Sequence, residues 1–213
     1  MVSVQKGREQ KLARIGVRDS KMLTRRRREF LYDEIYAVAD DVRVYKISGL
    51  EINKAMAAGI SINELEAMHF AKLIDGLKSS PSRVFVDSPD VISTRFGARI
   101  SIFSTRPMVV AGVKGKRQSD GVDRIRIVSE HKADSRYPVV SSASIIAKVV
   151  RDNEMDRIEE EVGMEIGSGY PSDRHTVDAI RANLENVELH QYIRERWKTM
   201  LHIRQSKIAD FFG

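Results

Sequence analysis

An α/β fold, a mixed sheet with flanking helices and a helical C-terminal part, is what the sequence predicts. Three observations carry it. Short β-like runs, VRVYKI (Val42–Ile47), RVFVD (Arg83–Asp87), MVVAGV (Met108–Val113) and RIRIV (Arg124–Val128), all fall before Glu130. Segments with the helical apolar period lie among them. After Val128 the periodic segments are helical, so strands come first and helices dominate the later part.

The elements follow in order. Thr24 is an N-cap residue for a helix over RRRREFLYDEIYAVAD, where Leu31, Ile35 and Val38 share one face. Val42–Ile47 alternates like a strand. Ser61-Ile62-Asn63-Glu64 has capping-box spacing and opens a helix that runs to Leu77. SSPS then breaks the chain before RVFVD. Between the third and fourth β-like runs, GVKGKRQSDGVDR is a basic, glycine-containing loop or hairpin. SSASIIAKVVRDNEMDRIEEEV reads as a long helix with Ile145, Ile146, Val149, Ile158 and Val162 on its apolar side. GSGYPSD is a turn-rich loop, and two further helical stretches reach Arg204.

With 213 residues, 42% of them hydrophobic, the chain suffices for a domain with a real core. It has no cysteine, which excludes disulfides and thiolate metal sites and fits a reducing cytoplasm. No run is long and apolar enough for a membrane span. Lys and Arg total 36 against 30 Asp and Glu, a formal charge of +6 that suits a polyanionic partner such as nucleic acid.

Four places could carry chemistry. Asp87 ends an apolar run suited to a strand covered on both faces, at the sheet edge where α/β proteins place their sites. The competing reading is that Asp87 or Asp90 only caps the turn around Pro89. EHKAD (Glu130–Asp134) follows RIRIV, so carboxylates at neighbouring strand ends could converge. Oxygen ligands without cysteine select Mg²⁺ or Mn²⁺, and paired acidic strand ends on a basic protein suggest metal-assisted phosphodiester chemistry. His131, a lone histidine, reads as a local hydrogen-bonding residue. At the start of SSASIIAKVVRD, the polar turn Ser141, Ser142, Ser144 offers amides and a positive dipole to a phosphate. Lys148 and Arg151, three residues apart, form either phosphate contacts or a solvated basic patch. Tyr170 in the Gly/Pro/Ser loop could stack on a sugar or base, with Gly167 and Gly169 permitting close backbone approach, or could be a buried loop tyrosine.

Taken together and in order, GVRDSK (Gly16–Lys21), VDSPDV (Val86–Val91), EHKAD, SASIIAKVVRD (Ser142–Asp152) and GSGYPSD (Gly167–Asp173) resemble ribonuclease HII in its archaeal form, from about Gly16 to the C-terminus. The resemblance implies a ribonuclease H-like fold. It implies endonucleolytic cleavage of RNA in RNA–DNA hybrids and incision 5′ of single ribonucleotides embedded in DNA. It makes Asp87 and Asp134 catalytic carboxylates that hold Mg²⁺ or Mn²⁺, and Tyr170 a residue that packs on the sugar beside the scissile ribonucleotide. Lys148 and Arg151 become candidate phosphate contacts. Asp19, Ser20 and Lys21 match the family's loop near the active site, which puts Lys21 among the substrate-binding candidates. The implied division is a catalytic domain over 1–165, a helical part over 166–204 and a tail over 205–213.

There are departures. Family members open with a strand ending in Asp-Glu-Ala-Gly-Arg-Gly, which supplies two more carboxylates, and MVSVQKGREQKLARIG holds no such motif. The expectation is that Met1 is an internal methionine of a longer chain, the competing one an impaired enzyme that binds hybrids or a clamp without cutting. SDRHT (Ser172–Thr176) lacks the proline the family usually has after its Asp, and the basic loop 114–124 is long. An unrelated Mg²⁺-dependent phosphotransferase fits less well, because no G-x-x-x-x-G-K-[ST] loop is present.

The chain closes on QSKIADFFG. Gln205, Ile208, Phe211 and Phe212 fit the pattern of sliding-clamp-binding peptides, in which a tight helical turn gathers the three apolar side chains into a plug. The alternative is that the phenylalanines fold back onto the protein's own core.

Overall fold

The computed structural model describes residues 1–17, 20–113 and 123–212, with side chains to Gln205. In chain order the elements are β1 (Val2–Ser3), α1 (Glu9–Arg14), a 3-10 turn (Ser20–Met22), α2 (Arg25–Val38), β2 (Asp41–Val42), α3 (Gly49–Ala57), α4 (Ile62–Asp75), β3 (Arg83–Asp87), α5 (Ser93–Phe103), β4 (Met108–Val110), β5 (Ile125–Glu130), α6 (Ala133–Arg136), α7 (Pro138–Val162), α8 (Arg174–Ala182), α9 (Val187–His190) and α10 (Lys198–Phe212). They form two compact units. One comprises residues 1–45 and 63–149, the other 46–62 and 150–213.

In the first unit, β3, β5 and β4 form a parallel sheet with β5 in the centre, and β1 pairs antiparallel with β2. The sheet is filled from Val84, Val86, Ile125 and Ile127, against which α4 sets Ala67, Ala71 and Ile74 and α5 sets Phe96 and Ile100. Phe70 of α4 meets Phe96 edge-on, with ring centroids 5.6 Å apart. Gly97 lets α5 lie close to the sheet, because a Cβ there would stand 3.1 Å from Ser129 Cβ. The loop after α5 is tied down by Arg106, whose guanidinium donates to the carbonyls of Asp75, Leu77 and Ser79.

Thr24 caps α2 as the sequence predicts, its hydroxyl accepting from Arg27 N at 3.3 Å. The strand expected over Val42–Ile47 does not form. Asp41 and Val42 pair with the two-residue β1, Arg43 N donates to Met1 O at 2.9 Å and the Arg43 carbonyl accepts from the Met1 amine at 2.6 Å, and beyond it Val44 and Tyr45 lie exposed. Alternation cannot make a ladder where no neighbouring backbone stands to pair with it. Tyr45 instead stacks on His69, with centroids 4.1 Å apart.

The second unit packs Ile158, Ile166, Leu189, Ile193, Met200 and Ile203 into its own core. Asn53 of α3 stitches it by donating to Ile193 O at 2.8 Å and accepting from Glu195 N at 2.9 Å. No described helix is long and apolar enough to cross a membrane.

Candidate active site

β3 and β5 run parallel in a register that sets Asp87 beside Glu130, so both strands end at one sheet edge. Ser88 N donates to Glu130 O at 3.0 Å and extends the ladder by one residue. β3 is buried at Val84 and Val86, whereas Phe85 is half-buried and Asp87 exposed. The strand is therefore covered fully on one face, not on both as its apolar run suggests. On the other face Phe85 packs against the Tyr137 ring, with centroids 4.3 Å apart.

The chain leaves β5 through a tight turn. Lys132 adopts a left-handed conformation (φ 55°), uncommon for a residue with a Cβ. That turn aims the Ala133 amide back at β3, where it donates to Asp87 Oδ1 at 3.0 Å. Asp134 follows immediately in α6. Only 9% of it is exposed, and its carboxylate has no hydrogen-bond or ion-pair partner among the described residues. Neither of its oxygens is both sealed from water and unpartnered, so the carboxylate remains open to a cation.

Glu130 belongs to a supporting network instead. Its Oε2 accepts from Arg136 Nη1 at 2.9 Å and from Tyr137 Oη at 3.2 Å. Burial, then the bond to Glu130, raises the Tyr137 hydroxyl pKa. Sequence reasoning passed over Tyr137 because nothing marks an aromatic just after a short helix as a partner of the preceding strand.

Asp90 is more than a turn cap. It is 8% exposed, and its Oδ1 accepts from Asn63 Nδ2 at 2.6 Å and Arg99 Nη1 at 3.0 Å. The side chain that accepts within the turn around Pro89 is Ser88 Oγ, which takes Asp90 N at 3.2 Å. His131 Nε2 lies 2.7 Å from Asp90 O, so it is a hydrogen-bonding residue as read from the sequence, but its partner stands 41 residues away and is not local.

The phosphate-cradling turn at Ser141, Ser142 and Ser144 is not observed. Pro138 opens α7 earlier, so these serines sit inside the helix. Ser141 N is spent on Tyr137 O, Ser142 Oγ donates to Pro138 O at 2.7 Å, and Ser144 Oγ pairs with Ser20 Oγ at 2.9 Å. Proline at the first helical position explains the shift. Lys148 is half-buried on α7, Lys21 is exposed in the 3-10 turn, and Asp19 lies outside the described residues.

In the second unit, Arg151 and Tyr170 meet directly, with the guanidinium carbon 3.9 Å from the ring centroid. Arg151 Nη2 also donates to Ser168 O, and Nη1 lies 3.6 Å from Asp152 Oδ1. The loop is pinned at several other points. Glu159 Oε1 accepts from Ile166 N at 2.7 Å and Gly167 N at 2.9 Å. Asp173 Oδ2 accepts from Ser168 N at 2.8 Å and Ser168 Oγ at 2.6 Å, and its Oδ1 takes His175 N as the cap of α8. The Ser168 hydroxyl bond, foremost among these, lowers the Asp173 pKa to about 2.

The backbone of α10 continues as helix to Phe212, in place of a separate tight turn. Gln205 is exposed, and the side chains of Ile208, Phe211 and Phe212 lie outside the described residues, as do loop residues 114–122.

The family profile described as Ribonuclease HII matches residues 1–200. Ribonuclease HII of Archaeoglobus fulgidus is 36% identical over 203 residues, covering 95% of this chain and 87% of the relative. That of Thermococcus kodakarensis is 39% identical over 200 residues, covering 92% of this chain and 77% of the relative. Among solved structures, the ribonuclease H2 of Pyrococcus horikoshii OT3 superposes with a TM-score of 0.77 at 32% identity, covering 95% of this chain and 87% of that one. The structure of the PCNA:RNase HII complex from Archaeoglobus fulgidus matches with a TM-score of 0.74 at 36% identity, with the same coverage of each. Bst-RNase HIII in complex with Mn²⁺ shares the fold alone, at a TM-score of 0.72 and 19% identity. The Asp87–Ala133–Asp134 arrangement at a parallel sheet edge thus sits in a chain that belongs to the ribonuclease HII family.

Proposed function

We propose that the protein is a type 2 ribonuclease H endonuclease that cleaves the RNA strand of RNA–DNA hybrids and incises 5′ of ribonucleotides embedded in DNA. The observation that carries this reading is the exposed Asp87, bonded through Ala133 N to the segment that presents Asp134. Asp87 at the end of β3 and Asp134 in the helix just after β5 fit a hard divalent cation, which is commonly held by one or two carboxylates, waters and substrate phosphate. The family is divalent-metal dependent, and we assign Mg²⁺ or Mn²⁺ to Asp87 and Asp134.

Asp87 and Asp134 would hold the ion, which would supply an activated water and charge neutralisation for hydrolysis to 3′-OH and 5′-phosphate ends. The protein's part is placement. Ala133 N fixes one oxygen of Asp87, and the Glu130–Arg136–Tyr137 network steadies the segment that carries Asp134. Tyr170 packs on the sugar beside the scissile ribonucleotide, and Lys21 and Lys148 contact phosphates. The catalytic part spans 1–165, followed by a helical part over 166–204, and the protein works in the cytoplasm.

The test is a duplex carrying one ribonucleotide, incubated with Mn²⁺. The wild-type protein cuts it, while Asp87→Asn and Asp134→Asn retain binding and lose cleavage by about a thousandfold or more. Wild-type rates in both variants sink the assignment, and binding without incision by the wild-type protein identifies a non-catalytic hybrid binder.

We further propose that the tail over 205–213 binds a sliding clamp through Gln205, Ile208, Phe211 and Phe212. The Archaeoglobus fulgidus relative forms a complex with PCNA, and the QxxIxxFF pattern supports the same use here. Loss of retention on an immobilised archaeal clamp in Phe211→Ala/Phe212→Ala supports this, and unchanged retention rejects it.

A further inference from the structure

We propose that Arg151 is a positioning residue for Tyr170, not a phosphate ligand: its guanidinium backs one face of the ring so that the other is presented to the substrate. The inference rests on the reading of Tyr170 as a sugar-packing residue.

The argument begins with spacing. Arg151, Met155 and Glu159 stand four residues apart on α7, which puts them on successive turns of one helix face. Each meets a different part of the loop. Glu159 accepts from the amides of Ile166 and Gly167. Met155 lies against Gly169, where a Cβ would stand 2.9 Å from its sulfur. Arg151 donates to Ser168 O and covers the Tyr170 ring at 3.9 Å. The stripe therefore shapes the whole segment from Ile166 to Tyr170.

Arg151 is committed in this arrangement. Its plane is used by the ring, one nitrogen by Ser168 O, and another faces Asp152 at 3.6 Å. Satisfying a phosphate would mean giving up contacts already made. Tyr170 still keeps 46% of its surface exposed, so the ring is held without being buried. A planar guanidinium suits this task and an ammonium does not, since only the former stacks face to face on an aromatic ring while hydrogen-bonding in its own plane. Gly169, at φ +69°, allows the loop to descend onto Met155 just before the tyrosine.

The experiment uses the full chain with Mn²⁺ and the single-ribonucleotide duplex. Arg151→Lys, Arg151→Leu, Tyr170→Ala and the Arg151→Leu/Tyr170→Ala double variant are compared at several salt concentrations. Both Arg151 variants should lower kcat/KM by about five- to tenfold, the charge-retaining lysine giving no rescue. The double variant should be no worse than Tyr170→Ala, because two residues acting as a unit are not additive. The salt dependence of binding should keep its slope, whereas loss of a phosphate contact would reduce it by about one. Rescue by lysine, additive losses or a reduced slope overturns the proposal.

A second readout needs no activity. In the folded wild-type protein the Arg151 δ-methylene NMR signals should be shifted upfield by the Tyr170 ring current, and the shift should vanish in Tyr170→Ala. Unshifted wild-type signals reject the brace itself, while wild-type kinetics in Tyr170→Ala reject the substrate role of the tyrosine. The two failures are separately visible.

Discussion

Asp87 Oδ1 accepts the Ala133 amide at 3.0 Å, and the bond exists because the preceding residue, Lys132, turns left-handed. Two strand ends are thereby joined by a backbone donor, which a carboxylate uses without needing a second charged residue. The cost is a strained φ at Lys132, about 1–2 kcal/mol for a residue bearing a Cβ.

That cost is open to measurement. Lys132→Gly should leave stability within about 1 kcal/mol of wild type, because relief of strain and greater unfolded-state freedom oppose each other. Lys132→Val should lose about 1–2 kcal/mol and weaken Mn²⁺ binding, since a β-branched residue tolerates this conformation poorly. Urea melts and calorimetric Mn²⁺ titrations distinguish the pair, and equal behaviour of the two variants would refute the strain argument.

Asp90 joins α4 and α5 to the turn after β3 through Asn63 and Arg99. Asp90→Ala should destabilise the fold by about 2–3 kcal/mol, the range for removing a buried acceptor bonded to a charged donor. Chemical denaturation reads the effect. A loss below about 0.5 kcal/mol would return Asp90 to the rank of an ordinary surface residue.

Asp173 makes a pH prediction. Its folded pKa is lowered to about 2 from an ordinary 3.8. A depressed carboxylate stabilises above its unfolded pKa and loses that contribution as pH falls through the folded value. The difference in melting temperature between wild type and Asp173→Asn should thus be constant above pH 3.8 and shrink towards pH 2. A difference that is flat through this window contradicts the assigned bonds.

Gly49 begins α3 against the backbone of the loop after α9, where a Cβ would stand 2.6 Å from Tyr192 O. Backbone cannot step aside as a flexible side chain can. Gly49→Ala should therefore cost about 1–3 kcal/mol in the manner of overpacking, measured by urea melts. Wild-type stability in this variant would show that the loop yields.

How much of this was legible in the residues differs from place to place. The apolar run ending in Asp87 and the acidic cluster after β5 could be read because a strand end is marked by abrupt polarity. Helix α5 could not, because STRFGARISIF carries a glycine in its middle that belongs to sheet contact, not to a turn. The relative burial of Asp87 and Asp90 was equally hidden. Both follow strand-like sequence, and only Asn63 and Arg99, distant in the chain, decide that Asp90 is the one drawn inside. The serines of α7 misled for a local reason, since Pro138 starts the helix one turn sooner than their polarity suggests.

The stripe Arg151–Met155–Glu159 has a consequence for chain length. Each residue of an α-helix advances the side-chain direction by about 100°, so one residue inserted between Arg151 and Glu159 would swing one end of the stripe away from the loop. Three unrelated contacts, an ion on a ring, a sulfur under a glycine and a carboxylate on two amides, would lose their common alignment at once. This stretch of α7 therefore behaves as a ruler. Each substitution touches one marking, whereas an insertion shifts the whole graduation.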